Sequence, residues 1–466
     1  MKDVIAQCLR SLTDLTKWDE EVFEVVSKIA CGCAAAILEA IDDELAKERN
    51  GDLRMISKRP KTIVTKFGSL KIKRRMYRDG SGRGRFLLDE ALGLIPGRQA
   101  TALLQATALR LAALIPFRQA AAVLEETSGG ALSHQMIHRI LQLKGAVLEA
   151  QEQRTTQDLI QNGELPESQN KKPKQLFVEA DGTMISLQRQ DKRKAEVKLV
   201  IAHEGWKRVG KDKYALKDKT VLAGLAPADE IWDRFTAKLL ETYDPQVLSS
   251  LIIGGDGASW VKDGSQVFGG SLYQLDRFHL YRAMLRATGN MTNANRAFRL
   301  AASGDTRGAI TVLDTEAAKT PKKQPELKKA ANYLRSNAAG LVDYRSRISS
   351  ASEDMRGLGA IESNIDKVLA NRMKKRGMAW GYTGAHNMAK VIQMLANGES
   401  SPSCQLKESK ERIAKTIRRR VNEALESDPA AWLTSRMPAL IGPHQGRPWV
   451  KALRDISQLK TAKTRL

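Results

Sequence analysis

Apolar residues recur at helical spacing through Val22, Val25, Ile29, Ala34, Ile37 and Ile41 before the charged end DDELAKERN, which predicts a helical arm over residues 1–60. The segment 62–80, TIVTKFGSLKIKRRMYRDG, sets a Gly-Ser turn between β-branched runs and predicts a hairpin. From Ala100 to Ala150 the pattern is helical again. Within it, residues 118–145 hold two helices about a Gly-Gly turn, the outline of a helix-turn-helix. Ser133 is placed to cap the second helix, and Met136, Ile137, Ile140 and Leu141 form its buried stripe. His134, Gln135, His138 and Arg139 are left facing outward.

Residues 151–175 are polar and contain two prolines, and they read as a linker. After them the texture changes to strands at 176–188, 195–206 and 220–225, a β-meander. A helix over 228–244, a buried strand within 250–261, a strand over 271–280 and helices from 359 and from Met388 follow, so a mixed α/β sheet is expected. The stretch 282–355 is helical and reads as an insertion. The organisation is therefore a helical arm (1–60), a basic hairpin with a helix-turn-helix-like region (61–150), a linker (151–175), and a core (176–281 and 356–400) interrupted by the insertion. A basic C-terminal region (401–466) with Arg418, Arg419 and Arg420 in a row closes the chain.

The 466 residues suffice for several modules. No run offers the roughly 18 apolar residues of a membrane span, and acids interrupt the N-terminal segment, so no secretory signal is read and a cytoplasmic location is expected. Cys8, Cys31, Cys33 and Cys404 suit neither a disulfide framework nor a zinc site and read as reduced thiols. Charge changes the picture most: a net +23 and a pI near 9.8 imply a polyanionic partner. With aromatic residues at only 5%, base stacking is a minor resource, which favours duplex over single-stranded nucleic acid. Candidate contacts are Lys71, Lys73, Arg74 and Arg75 on the hairpin, where a lysine-protected edge strand is the other reading, and Ser133, His134, Gln135, His138 and Arg139 at the second helix.

Asp181 closes the apolar run LFVEADG and Asp256 closes LIIGGDG, each followed by glycine. Carboxylates at strand ends of an open sheet project into the crevice where ligands bind, and a glycine after each lets a phosphate or metal approach the backbone. Asp-Gly is equally a turn signal. The repetition of the same figure and a third carboxylate, Glu362, at a helix start within GAIES favour a site. Three carboxylates about one crevice repel one another, and hard divalent cations relieve this. Two magnesium ions, with manganese as substitute, about 3.5–4 Å apart can activate a water or 3′-hydroxyl for attack on phosphorus. Glu179 shares the strand face of Asp181 and is a substitute ligand, and Glu353 rivals Glu362.

The order VEADG, GGDGASWV, LDRFHL, a helical insertion, then GxxES before a basic helix resembles bacterial insertion-sequence transposases with a ribonuclease-H-like core. It is most similar to a branch long filed as an uncharacterised protein family and akin to Mutator-type enzymes, and FGSLKIKRRMYRDGSG and LLDEALGL extend the likeness over residues 60 to 400. The resemblance implies a retroviral-integrase-type α/β fold behind a mainly helical DNA-binding region, with Asp181, Asp256 and Glu362 as the metal-binding catalytic triad of a DDE transposase. It implies that Asp276 and His279 lie on the strand after the second Asp, His279 near the scissile phosphate or held structurally within the sheet. Arg372, Lys374, Lys375 and Arg376, expected on the Glu362 helix, are further DNA contacts. The expected partners are double-stranded DNA, as transposon ends and target, and further copies of the chain in a homodimer or larger assembly. A catalytically silent DNA-binding regulator and a nuclease of the same fold acting on RNA are the alternatives.

Overall fold

The computed structural model describes residues 16, 18–49, 51–94, 99–211, 213–348 and 355–399. The predicted C-terminal region 401–466, Cys8, Cys404 and Glu353 lie outside the described residues. The chain divides into two compact units. The first takes in the described residues up to Ile137 apart from Ala113–Pro116, and the second takes Ala113–Pro116 and His138 onwards.

In the first unit, helix α1 (Trp18–Lys47) packs on the antiparallel strands β1 (Arg54–Thr65) and β2 (Gly68–Arg78), with a short β3 (Gly84–Arg85) beside β2. The helical arm thus ends earlier than the apolar spacing suggests, because Arg54 already opens β1. Alternation in β2 sends Leu70 and Ile72 inward to meet Ile63, Leu45 of α1 and Leu88 of α2 (Leu87–Ala91). Helices α3 (Ala102–Leu114) and α4 (Phe117–Thr127) follow. The Gly-Gly turn after α4 rests on the hairpin, Gly129 N–H donating to Lys66 O at 3.0 Å.

Helix α5 (His134–Asn162) begins as expected, with Ser133 Oγ accepting the Met136 N–H at 3.2 Å and Ile137, Ile140 and Leu141 buried. It is far longer than the pattern predicts. The unit boundary falls inside it at Ile137, and residues 151–162, expected as linker, are its last turns. Their polarity has a partner: Glu149 and Glu152 pair with Arg234, His386 and Lys390.

The second unit is built on one six-stranded sheet. The central strand β4 (Phe177–Leu187) runs antiparallel to β5 (Lys194–His203), which runs antiparallel to β8 (Thr220–Gly224). On its other side β4 runs parallel to β9 (Ile252–Gly255), and β9 parallel to β10 (Leu272–Leu275). Between β5 and β8 the chain forms a separate two-stranded ribbon, β6 (Trp206–Gly210) with β7 (Lys213–Leu216), which the sequence pattern does not predict. Helices α6 (Ala228–Leu240) and α7 (Ser259–Val267) supply Trp232, Phe235, Trp260 and Val261 to the core over the sheet.

The insertion is helical as expected: α8 (Arg277–Thr288), α9 (Met291–Ala302), α10 (Thr306–Lys319) and α11 (Gln324–Ser336), small apolar residues such as Ala294, Ala297 and Ala301 letting them pack closely. It opens at Arg277, directly off β10. Helix α12 (Ala360–Asn364) then passes into a π-helical stretch, Ile365–Ala370, and a last turn, Asn371–Met373. Strand β11 (Ala379–Trp380) joins the far end of β4, and α13 (Tyr382–Ala396) packs on β8. Among the described residues no helix is long and apolar enough to cross a membrane.

Candidate active site

Strands β4, β9 and β10 stop pairing at one level. Ala180 is the register partner of Gly255, and Gly255 of Leu275, so Asp181, Asp256 and Asp276 are the next residues on three adjacent parallel strands. As the 176–188 pattern predicts, β4 runs past Asp181 to Leu187, paired with β5 from Phe177 to Ser186, so Asp181 closes the apolar run but not the strand. What ends at Ala180 is the ladder to β9, and β11 takes up that edge only at Ser186 and Leu187. Among the described residues, 181–185 have no strand partner on this side, and α12, which carries Glu362, packs against β4.

The start of α12 is fixed by Glu179. This carboxylate is 1% exposed and does not face the cleft as a substitute ligand. It accepts the N–H groups of Gly359 at 2.8 Å and Ile361 at 3.1 Å, and its other oxygen lies 3.4 Å from Nε2 of the buried His203. The sequence shows Glu179 but not this role, which joins residues 180 positions apart. Glu362, in the first turn of α12, is open to solvent.

Charge gathers here. Burial raises the Asp181 carboxyl, the Gly182 N–H donating to its Oδ1 at 2.7 Å pulls it down, and the negative charges of Asp256 and Glu362 push it up against His279, to about 6. His279 is half-buried between acids, its Nδ1 3.5 Å from Asp276 Oδ2 and its Nε2 3.9 Å from Glu362 Oε2. Asp276 raises its pKa first, burial opposes this, and Asp181 and Asp256 add to the rise, so the imidazolium is favoured. The strand placement of Asp276 and His279 is also corrected. Asp276 caps α8, accepting the N–H groups of Phe278 at 2.7 Å and His279 at 3.3 Å, and His279 stands in the first helical turn. Capping suits an Asp whose chain has just left a strand.

The loop after Asp256 is braced by the insertion. Asp256 Oδ1 accepts the Ala258 N–H at 2.9 Å, and Tyr333 of α11 donates to Asp256 O at 2.6 Å. Gly257 takes φ +92°, and a Cβ there would lie 2.8 Å from Asn337 Oδ1, so glycine is needed for the turn. Gly182 serves a different end from the one expected: a Cβ would lie 2.3 Å from Glu196 Oε1, so its missing side chain houses the cross-strand Glu196.

The predicted nucleic-acid contacts divide. Lys71 and Lys73 are exposed, but Arg74 is 6% exposed and pairs with Asp89 at 2.6 Å. Arg75 pairs with Asp42 at 2.8 Å and Asp43 at 2.7 Å on α1. These two arginines hold the unit together and are removed from the candidate interface. Gln135, His138 and Arg139 are on the outer face of α5 and His134 is half-buried. Helical structure ends at Met373, so Lys374, Lys375 and Arg376 are exposed in a turn and not on the Glu362 helix. Arg372 is 2% exposed over the Trp380 ring and is unavailable to DNA.

The donor set, carboxylates with a Lewis-basic imidazole and no sulfur, fits hard divalent cations, and a carboxyl lifted to about 6 by burial first and then by its acidic neighbours is the electrostatic state such ions reverse. The acids converge on the sheet edge without closing into a three-ligand cluster among the described residues.

Comparison with known proteins places the chain among relatives of matching length. The profile of an uncharacterised protein family, UPF0236, matches residues 9–410. A UPF0236 protein of Caldanaerobacter subterraneus subsp. tengcongensis is 25% identical over 404 residues, 85% of this chain and 77% of the relative. Another from the same strain, whose name joins eleven designations, is 24% identical over 405 residues, 85% of this chain and 81% of the relative. The UPF0236 protein in vanSb 3'region of Streptococcus gallolyticus is 26% identical over 407 residues, 84% of this chain and 86% of the relative.

Proposed function

The chain belongs to the UPF0236 family, and from the acids its sheet brings together we propose that it is a DDE-type DNA transposase, cleaving element ends and joining them to target DNA. The observation that carries this is geometric: the register sets Asp181 beside Asp256 where the parallel ladder stops, and the helix that carries Glu362 packs on β4. An antiparallel meander joined through its first strand to two parallel strands, with a helical insertion before the third acid, supports a ribonuclease-H-like core. One relative carried under eleven designations in one strain fits a gene that multiplies with its own element.

Asp181, Asp256 and Glu362 would hold two divalent ions, magnesium in the cell, which when bound activate a water or 3′-hydroxyl and stabilise the leaving oxygen. The chain's own residues set the rest. Register fixes Asp181 beside Asp256, Tyr333 holds the Asp256 turn, and Glu179 sets the start of the Glu362 helix. His279, between Asp276 and Glu362, would donate a ring N–H to a phosphate entering there. Lys374, whose Nζ donates to Thr183 Oγ1 at 3.4 Å, and Lys375, paired with Asp366, would hold the duplex on this side of the cleft. Two ends must be cut together, so a homodimer or larger assembly is the working form.

The test is cleavage and joining on supercoiled plasmid carrying candidate element ends, with magnesium or manganese, beside manganese binding followed by thermal shift. Wild type should cut, while Asp181→Asn, Asp256→Asn and Glu362→Gln bind DNA without cutting and lose the manganese-dependent shift. A wild type that binds duplex and cuts with neither metal overturns the enzyme in favour of a regulator. Cleavage confined to RNA would make it a nuclease.

A further inference from the structure

The ribbon of β6 and β7 forms its own two-stranded sheet apart from the main one. A lone hairpin is at best marginally stable in water, and this one is fastened at its base and through one face. Trp206 packs on Phe177 with centroids 4.9 Å apart, the Arg356 guanidinium lies 3.7 Å over the Tyr214 ring, and Lys217 N–H donates to Gly205 O at 3.0 Å. Around these anchors Lys207, Arg208, Val209, Lys211 and Lys213 are exposed. The register pairs Lys207 with Ala215 and Arg208 with Tyr214, so Lys207 and Lys213 share the face turned away from Arg356. Among the described residues none of the four cations is held in an ion pair, whereas Lys217 at the base pairs with Glu204 at 3.5 Å.

We propose that this ribbon, Trp206–Leu216, is a second duplex-DNA contact, laid along the major groove with Lys207, Arg208, Lys211 and Lys213 on the phosphates. It rests on the reading of the protein as one that acts on duplex DNA. Paired strands stand about 4.8 Å apart, and a two-stranded ribbon enters a B-form major groove about 12 Å wide. The major groove of A-form RNA is too deep and narrow to admit it. The ribbon carries one exposed ring, Tyr214, and Arg356 already covers one of its faces, so its resources for stacking unpaired bases are small beside its four cations. Cations that no carboxylate pairs with among the described residues can displace counterions, which makes the contact strong and independent of sequence.

The experiment is a titration of full-length protein onto a labelled 30-base-pair duplex without element ends, at several salt concentrations. Replacing Lys207, Arg208, Lys211 and Lys213 by Ala should lower the slope of log affinity against log salt by roughly 0.9 per lost contact, between about 2 and 4 in all. A control with the same charge change in the insertion, Lys319, Lys322, Lys328 and Lys329 to Ala, should keep the wild-type slope. Lys211→Glu alone should act in the same direction, and it decides the matter if circular dichroism finds the fourfold variant misfolded. A ribbon variant with the wild-type slope, or a control that loses as much, overturns the ribbon and leaves the DNA reading standing. A wild type with no affinity for duplex at low salt overturns both, and a slope lost on double-stranded RNA as well overturns the groove assignment.

Discussion

The Glu179 carboxylate accepts the N–H of Gly359 at 2.8 Å and, through the same oxygen, that of Ile361 at 3.1 Å, so β4 grips the chain one residue before Glu362. Glu179→Ala leaves two N–H groups without their acceptor, Ile361 being fully buried, at about 1–3 kcal/mol each. Urea denaturation should find the variant less stable by roughly 3 kcal/mol, and strand cleavage should fall with it. Glu179→Gln keeps an oxygen facing both groups and should recover most of the stability and activity. Equal losses from Ala and Gln would mean that the charge toward His203, and not the grip on α12, is what matters.

Much of this core is legible in the chain. The apolar runs before Asp181 and Asp256 predict buried strands, the meander and the helical insertion follow from periodicity, and the Ser133 cap from a single residue. What escapes is set by tertiary pairing. The pattern carries β4 past Asp181 but does not show that its ladder to β9 stops at Ala180, because that depends on where β9 and β11 pair. Polar residues 151–162 look like linker until Arg234 and Lys390 meet them from distant helices. Arg74 and Arg372 look like DNA contacts because burial is invisible in a run of basic residues. The ribbon carries a signal in its density of Lys and Arg, WKRVGKDKYALK, but its strands are too short to announce themselves.

Gly145 fixes how α5 meets α13. A Cβ at this position would stand 2.5 Å from the Cβ and 2.6 Å from the Cα of Asn387, whose Nδ2 donates to Gln142 Oε1 at 2.8 Å. Backbone cannot yield as a flexible side chain does. Alanine favours a helix interior over glycine by about 1 kcal/mol, yet Gly145→Ala should destabilise by about 1–3 kcal/mol net because the helices must separate. Thermal melting checks the sign: a raised midpoint would show that the two helices have room.

Arg372 and Lys374 stand two residues apart and should behave oppositely. Burial first, then the charge of Arg376, lowers the Arg372 guanidinium to about 10, and its Nη1 lies 2.9 Å from Met378 Sδ. Arg372→Ala should cost roughly 2–4 kcal/mol through lost packing against Trp380 and leave the salt dependence of DNA binding unchanged. Lys374→Ala with Lys375→Ala should barely move stability and lower the salt slope by about 1–2. Denaturation and binding on the same preparations separate the two effects, and a reduced slope in Arg372→Ala would return that residue to the DNA interface.

Glu149 gives the second unit an acid-sensitive joint. Burial works to raise its pKa, but the His386 hydrogen bond at 2.7 Å and the charges of Lys390 and Arg234 outweigh it and bring the carboxyl to about 2. His386 Nδ1 accepts the Leu225 N–H at 3.2 Å, which leaves the proton on Nε2, facing Glu149. A carboxyl depressed in the folded state stabilises it fully above the ordinary carboxylate pKa, and that contribution is lost as pH falls towards 2. Wild type should therefore exceed Glu149→Gln by about 3 kcal/mol at pH 6, with the margin narrowing steadily below pH 4.5. Unfolding curves for both proteins at steps from pH 6 to pH 3 test this. Parallel curves would mean that the charge on Glu149 does not hold α5 to α6 and α13, and that the surrounding Glu152, Arg234 and Lys390 network carries the joint without it.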